Sequence, residues 1–201
     1  MILFIIFYLL FIYLSYKMKD KKIIDNTYIK VKTLGWGGEG VTYLVLEKGT
    51  NLQYAAKTLY DEDKHLEETK RIFNKIKQIN CPYIIRCIKE GNGKITKDNE
   101  VLEKRQYFIL EYAPKGDLWK IIYATQGFGE RCSKLIFKKI LLGVQALHQS
   151  GIYHQDLKID NIVLDNNFNP KIFDYGFATD QQGKLKNSNG TKEYIRLLKN
   201  F

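Results

Sequence analysis

The sequence predicts an α+β domain, an antiparallel sheet with one helix followed by a mainly helical part. Three observations carry this. Tyr28–Leu34 and Val41–Leu46 alternate like paired strands on either side of a glycine turn. Apolar residues recur at helical spacing over 61–79 and again over 118–150. A second, shorter hairpin then joins Ile162–Leu164 to Lys171–Phe173 through the turn-rich linker Asp165–Pro170.

The 201 residues suffice for one domain with a real core. Lys and Arg number 32 against 22 Asp and Glu, a formal charge of +10. The lysines are scattered and form no stripe with interleaved aromatics, so nucleic acid is not an expected partner. The charge reads as a solvated basic surface with some attraction to phosphate and lipid. Cys81, Cys87 and Cys132 lack C-x-x-C spacing and read as buried free thiols in a reducing compartment.

Met1–Tyr16 contains no charged residue. As a helix it would rise about 24 Å, slightly short of the roughly 30 Å hydrocarbon layer. Lys17, Lys19, Lys21 and Lys22 follow and can snorkel to the interface. With no positive n-region or small-residue cleavage site, the segment reads as a single-pass membrane anchor. The basic flank then keeps the rest of the chain cytoplasmic. The alternative is a leader, or an apolar element packed on a cytoplasmic domain.

After the glycine hairpin, Gln53–Lys57 is the next strand and Asp61–Ile79 a helix with Ile72, Ile76 and Ile79 on one face. Tyr83–Leu110 reads as two strands parted by a turn at Gly91-Asn92-Gly93-Lys94 and a charged loop. Two helical patterns follow, split at Gly127-Phe128-Gly129. Leu135, Ile136, Ile140, Leu141, Val144 and Leu147 form an apolar stripe in the second. The short hairpin gathers Asp156, Lys158 and Asn161, which precede its first strand, with Asp174, which follows its second. These groups suit phosphoryl transfer: a carboxylate orients a hydroxyl, an ammonium neutralises phosphate, and Asn with Asp holds magnesium through hard oxygens.

His154-Gln155-Asp156-Leu157-Lys158-Ile159-Asp160-Asn161 resembles the catalytic loop of eukaryotic-type protein kinases, with Gln155 in place of an Arg. Asp174-Tyr175-Gly176 resembles that family's D-F-G. Gly35-Trp36-Gly37-Gly38-Glu39-Gly40 is similar to its glycine-rich loop, and Tyr54-Ala55-Ala56-Lys57 to its V-A-I-K. Glu39 stands where an aromatic is usual and Thr42 where a Val is. The resemblance covers about residues 28–195, with the motifs in family order.

The resemblance implies a bilobal kinase-like fold: an N-lobe over about 24–110, a hinge over 111–117 and a partial C-lobe over 118–201, after an N-terminal hydrophobic helix within 1–23. It implies ATP and Mg2+ as cofactors and transfer of the γ-phosphoryl group to Ser or Thr of a protein substrate. The catalytic residues would be Asp156 and Lys158, and the magnesium ligands Asn161 and Asp174. Leu34, Gly35, Gly37, Gly40, Ala55, Lys57, Glu111, Ala113 and Asp117 would bind ATP. Glu68 is the expected partner of Lys57, with Glu67 beside it and Ile72 at the position the family spacing gives to Glu. His154 is expected to brace the loop. Ser188 and Thr191 lie in a polar stretch that resembles an activation loop. Gln155 cannot pair with a phosphate there, so activity independent of activation-loop phosphorylation is expected. Arg196–Phe201 replaces the expected A-P-E, so the chain reads as C-terminally truncated within the lower lobe. The alternative from another class is a catalytically silent, kinase-like interaction module.

Overall fold

The computed structural model describes residues 22–60, 66–97 and 100–180. The apolar segment 1–16, the first turn of the expected helix at 61–65, and the stretch holding Ser188, Thr191 and 196–201 lie outside the described residues. Among the described residues, no helix is long and apolar enough to cross a membrane. The chain divides into two compact units, one comprising 22–60 with 89–110 and the other 66–88 with 111–180.

The first unit is a sheet of six strands: β1 (Lys22–Ile24), β2 (Tyr28–Trp36), β3 (Gly40–Glu47), β4 (Gln53–Leu59), β5 (Cys87–Lys97) and β6 (Glu100–Glu111), with β1 to β4 antiparallel in succession. Their order is β1-β2-β3-β4-β6-β5, and β1 closes the sheet by pairing with both β2 and β5. Only three residues long, β1 gives too short a pattern to announce itself. Asp25 and Asn26 at φ 50° and 53° turn it directly into β2. Inward residues Ile24, Tyr28, Val45, Ala56, Ile95, Tyr107 and Ile109 form the core. The Tyr107 hydroxyl donates to Asp25 Oδ2 at 2.7 Å, which satisfies a polar tip inside that core.

One expectation here is corrected. Gly91–Lys94 is no turn, because β5 runs through it unbroken. The glycines serve close approach instead. A Cβ on Gly91 would stand 2.5 Å from the Tyr107 ring, and one on Gly93 would stand 2.8 Å from Asp25.

The second unit contains α1 (Leu66–Ile76), α2 (Leu118–Thr125), α3 (Glu130–Gln149), a 3-10 turn at Ile159–Asn161, and the hairpin β7 (Ile162–Leu164) and β8 (Pro170–Ile172). The amphipathic α1 buries Thr69, Ile72, Phe73 and Ile76. Phe73 meets the edge of Tyr175 with ring centroids 5.9 Å apart. On α3 the expected apolar stripe is narrower than its sequence. Leu147 is buried, whereas Leu135 and Leu141 are about half exposed. At 3.6 residues per turn Ile136, Ile140, Gly143 and Leu147 share a face, and Leu135 and Leu141 lie about 100° or more away from it.

Asp165 shapes the linker of the short hairpin: its Oδ1 accepts the N–H groups of Asn167 and Asn169, both at 2.8 Å. Ile172 of β8 also exchanges backbone bonds with Tyr83 and Ile85, so the hairpin is fastened to the rest of the unit. Of the cysteines, Cys87 is buried as expected, but Cys81 is half-buried and Cys132 exposed. Cys132 sits in the solvent-facing first turn of α3, so a polar sequence context was its only signal.

Candidate active site

In the first unit, β2 and β3 pair as far as Gly35 with Thr42 and Trp36 with Val41, and Gly37 N–H bonds Gly40 O at 3.0 Å to close the turn. A Cβ on Gly35, Gly37 or Gly38 would meet nothing within 4 Å. Gly40 differs: its Cβ would stand 1.9 Å from the Thr58 carbonyl oxygen and 2.9 Å from Leu59 Cα. Close passage of the loop over β4 therefore demands glycine at Gly40, whereas the other three border open space.

Lys57 lies on β4 opposite Thr42, and its Nζ is 2.6 Å from Glu39 Oε2. Ala55 is buried two residues before it, opposite Leu44, and Leu34 is exposed on β2. Glu39 is the acid that stands where an aromatic is usual in such loops. Its ion pair with Lys57 arises because Gly40 pairs with Leu59, which carries the loop tip back across the end of β4.

In the second unit the chain leaves α3 through Gly151 at φ 68°, and Tyr153 exchanges two backbone bonds with Thr179 at 2.8 and 2.9 Å. His154 is buried. Its Nε2 donates to Phe173 O at 2.9 Å, and its Nδ1 faces Asp156 N–H at 3.4 Å. The loop is thus braced from within by a neutral imidazole whose two nitrogens play opposite roles.

Asp156 is buried, and its Oδ2 accepts from Asn161 Nδ2 at 3.0 Å and from Lys158 Nζ at 3.0 Å. Asn161 Nδ2 also donates to Asp156 O at 2.8 Å. With that nitrogen committed twice, the Asn161 side chain keeps its carbonyl oxygen as its acceptor. Phe173 N–H bonds Asn161 O at 3.0 Å, which brings Asp174 beside this knot. Asp174 is exposed at φ 59°, and Gln155, next to Asp156, has φ 61°. Left-handed backbone at these two non-glycine residues costs on the order of 1 kcal/mol or more each. Tyr175 takes the place of Phe without leaving a buried hydroxyl unpaired, because its OH donates to Ile172 O at 2.9 Å. Burial keeps that phenol far above its ordinary range.

Around the segment expected to contact adenine, Glu111 N–H bonds Arg86 O at 3.0 Å. Its carboxylate lies 3.0 Å from the buried Lys171 Nζ on β8. Ala113 is buried. Asp117 caps α2: its carboxylate accepts from Lys120 N–H at 2.8 Å and pairs with Lys120 Nζ at 2.6 Å. Burial opposes ionisation there, but the Lys120 bonds prevail and hold the carboxyl below its ordinary value.

Of the two acids on α1, Glu67 is exposed and pairs with Lys70, whereas the half-buried Glu68 accepts from Thr179 Oγ1 at 2.8 Å. Asp180 adds a further tie, with Oδ2 at 2.8 Å from Arg71 Nε and 3.1 Å from Lys75 Nζ. The Arg71 hydrogen bond holds the Asp180 carboxyl below its ordinary value. Thr179 and Asp180 were not singled out from sequence. Their partners are more than a hundred residues away, and no local pattern announces them. Among the described residues no group of three or more His, Cys, Asp or Glu could hold a metal ion.

His154 gives the site a pH signature. Burial lowers its pKa below the ordinary value of 6.5, against the opposing pull of Asp156, Asp174 and the Phe173 carbonyl. Between the folded and unfolded values the unfolded chain binds the extra proton, so stability falls as pH drops below about 6.5. Urea unfolding at pH 7 and pH 5 should give a lower midpoint at pH 5, and His154→Gln should lose this dependence. Equal midpoints for the wild type would contradict the neutral brace.

The chain belongs to the protein kinase domain family, whose model matches residues 28–196. It is similar to developmentally-regulated protein kinase 1 of Dictyostelium discoideum, 32% identical over an alignment of 183 positions, with 88% of this chain and 24% of that protein covered. It is also similar to serine/threonine-protein kinase LATS2 of Homo sapiens, 26% identical over 172 residues, with 81% of this chain and 14% of that protein covered. A third relative is probable serine/threonine-protein kinase 2 of Plasmodium falciparum, 29% identical over 163 residues, 77% of this chain and 29% of that protein. The chain spans less than a third of the length of each of these relatives.

Proposed function

We propose that this chain is the catalytic domain of a protein kinase that transfers the γ-phosphoryl group of ATP, with magnesium, to serine or threonine of a protein substrate. The observation that carries this reading is the knot of buried Asp156 and Asn161 with half-buried Lys158, with Asp174 delivered beside it by the β7–β8 hairpin. Asp156 orients the substrate hydroxyl and takes its proton as the oxygen–phosphorus bond forms and the bond to the β-phosphate oxygen breaks. Lys158 steadies charge on the migrating group. Its position two residues after the Asp, together with the printed names of the LATS2 and Plasmodium relatives, supports Ser/Thr as acceptor.

The oxygen donors of Asn161 and Asp174 suit a hard divalent cation, which would neutralise phosphate charge when bound. Lys57 faces the α- and β-phosphates. The open space above Gly35, Gly37 and Gly38 suits close approach of their N–H groups to phosphate oxygens. Leu34 and Ala55 supply apolar contact to adenine, and Ala113 offers it backbone groups. Glu111 contributes its carbonyl, since its N–H is spent on Arg86. Asp117 serves the ribose only while it also caps α2. Positioning and electrostatics supply the rate, with little covalent work for the protein.

The silent-module reading draws on one observation, the carboxylate of Glu39 on Lys57. Thermal unfolding separates the two. Saturating ATP with magnesium, at about a hundred times its dissociation constant, stabilises a folded binder by about 2.7 kcal/mol. The melting temperature should therefore rise by several degrees, and Asp174→Ala should lose the magnesium-dependent part. A midpoint indifferent to nucleotide and metal would exclude the ATP-dependent reading.

A further inference from the structure

The glycine hairpin carries a carboxylate that sits on the ammonium assigned to nucleotide phosphates. Three contacts pin it there. Gly40 passes so close to Thr58 that the loop cannot lift from β4 without breaking the strand pairing. Glu39 O accepts Tyr60 N–H at 2.9 Å, which fixes the backbone on the far side. The Glu39 carboxylate then reaches Lys57 Nζ at 2.6 Å, with the side chains only 27% and 12% exposed.

We propose that Glu39 is a specificity-determining residue of the nucleotide site. Its charge competes with the phosphates for Lys57 and weakens binding in proportion to the negative charge of the phosphate chain. This rests on the reading of Lys57 as a phosphate-binding residue. The ammonium has three N–H donors and can serve several acceptors at once. Its charge cannot be shared so freely. A carboxylate at hydrogen-bond distance cancels much of the field that draws phosphate to Lys57, and it repels the phosphate directly. Partial burial limits how far water and salt relieve that repulsion. A neutral amide at the same position keeps a carbonyl oxygen for Lys57 and removes only the charge.

The predicted consequence is graded. Glu39→Gln should tighten binding of ATP with magnesium about tenfold, and ADP about threefold, in the range of a partly buried charge interaction. It should leave adenosine unchanged. The gains should shrink as ionic strength rises. Calorimetric titration of wild type and Glu39→Gln with the three ligands, at low and high salt, measures this, with melting temperature as the check on folding. An ATP affinity that stays the same or weakens in Glu39→Gln would overturn the proposal. Equal tightening of adenosine would also overturn it, because the effect would then be one of loop shape. If wild type and variant bind none of the three ligands, the nucleotide reading itself falls, and the role of Glu39 falls with it.

Discussion

Asp156→Asn should leave nucleotide affinity near wild type while lowering phosphoryl transfer about a thousandfold, within the range for loss of a general base. The substitution is close to isosteric. An Asn carbonyl oxygen can still receive Asn161 Nδ2 and Lys158 Nζ, so the knot around Oδ2 retains its acceptor. What disappears is the negative charge that orients a hydroxyl and takes its proton. The assay is initial-rate transfer alongside an ATP titration, with the melting curve as a control on folding. Turnover within tenfold of wild type would remove Asp156 from the chemistry. Loss of nucleotide binding in parallel would make its role structural.

Gly40→Ala should destabilise the chain by about 3 kcal/mol, at the upper end of overpacking costs. Replacing Gly38 by Ala should cost little beyond local entropy. The added methyl at Gly40 stands 1.9 Å from a carbonyl oxygen of β4, and backbone on a paired strand cannot step aside as a flexible side chain would. Relief requires parting β3 from β4, a pairing that also sets Lys57 opposite Thr42. Nothing lies within 4 Å of a Cβ at Gly38. Urea midpoints of the two variants decide the matter. If Gly40→Ala proves as stable as Gly38→Ala, the loop does not lie against β4 as described.

The sequence made the local parts of this protein readable and concealed the distant ones. The β7–β8 hairpin, with Asp156, Lys158 and Asn161 before it and Asp174 after it, follows from short intervals and turn chemistry alone. The β2–β3 hairpin does so for the same reason. The two glycines of β5 misled because turn signals and close-approach signals use the same residue, and only the Tyr107 ring and Asp25 across the sheet tell them apart. Asp117 could be read as a ligand residue, while its hold on Lys120 depends on where α2 begins. The ties from Asp180 to Arg71 and Lys75, and from Thr179 to Glu68, join residues far apart in the chain. Such pairs have no periodicity to betray them. Glu39 lay between these cases. Its contact with Lys57 follows from strand register, once the glycine loop is known to close at Gly37 and Gly40.

The most direct test of the central claim is transfer of label from γ-labelled ATP, with magnesium, to protein, followed by identification of the labelled amino acid. Phosphoserine or phosphothreonine is expected, in amounts that fall about a thousandfold in Asp156→Asn. A chain that binds ATP and magnesium yet places no label on any hydroxyl, or places it on tyrosine, would contradict it.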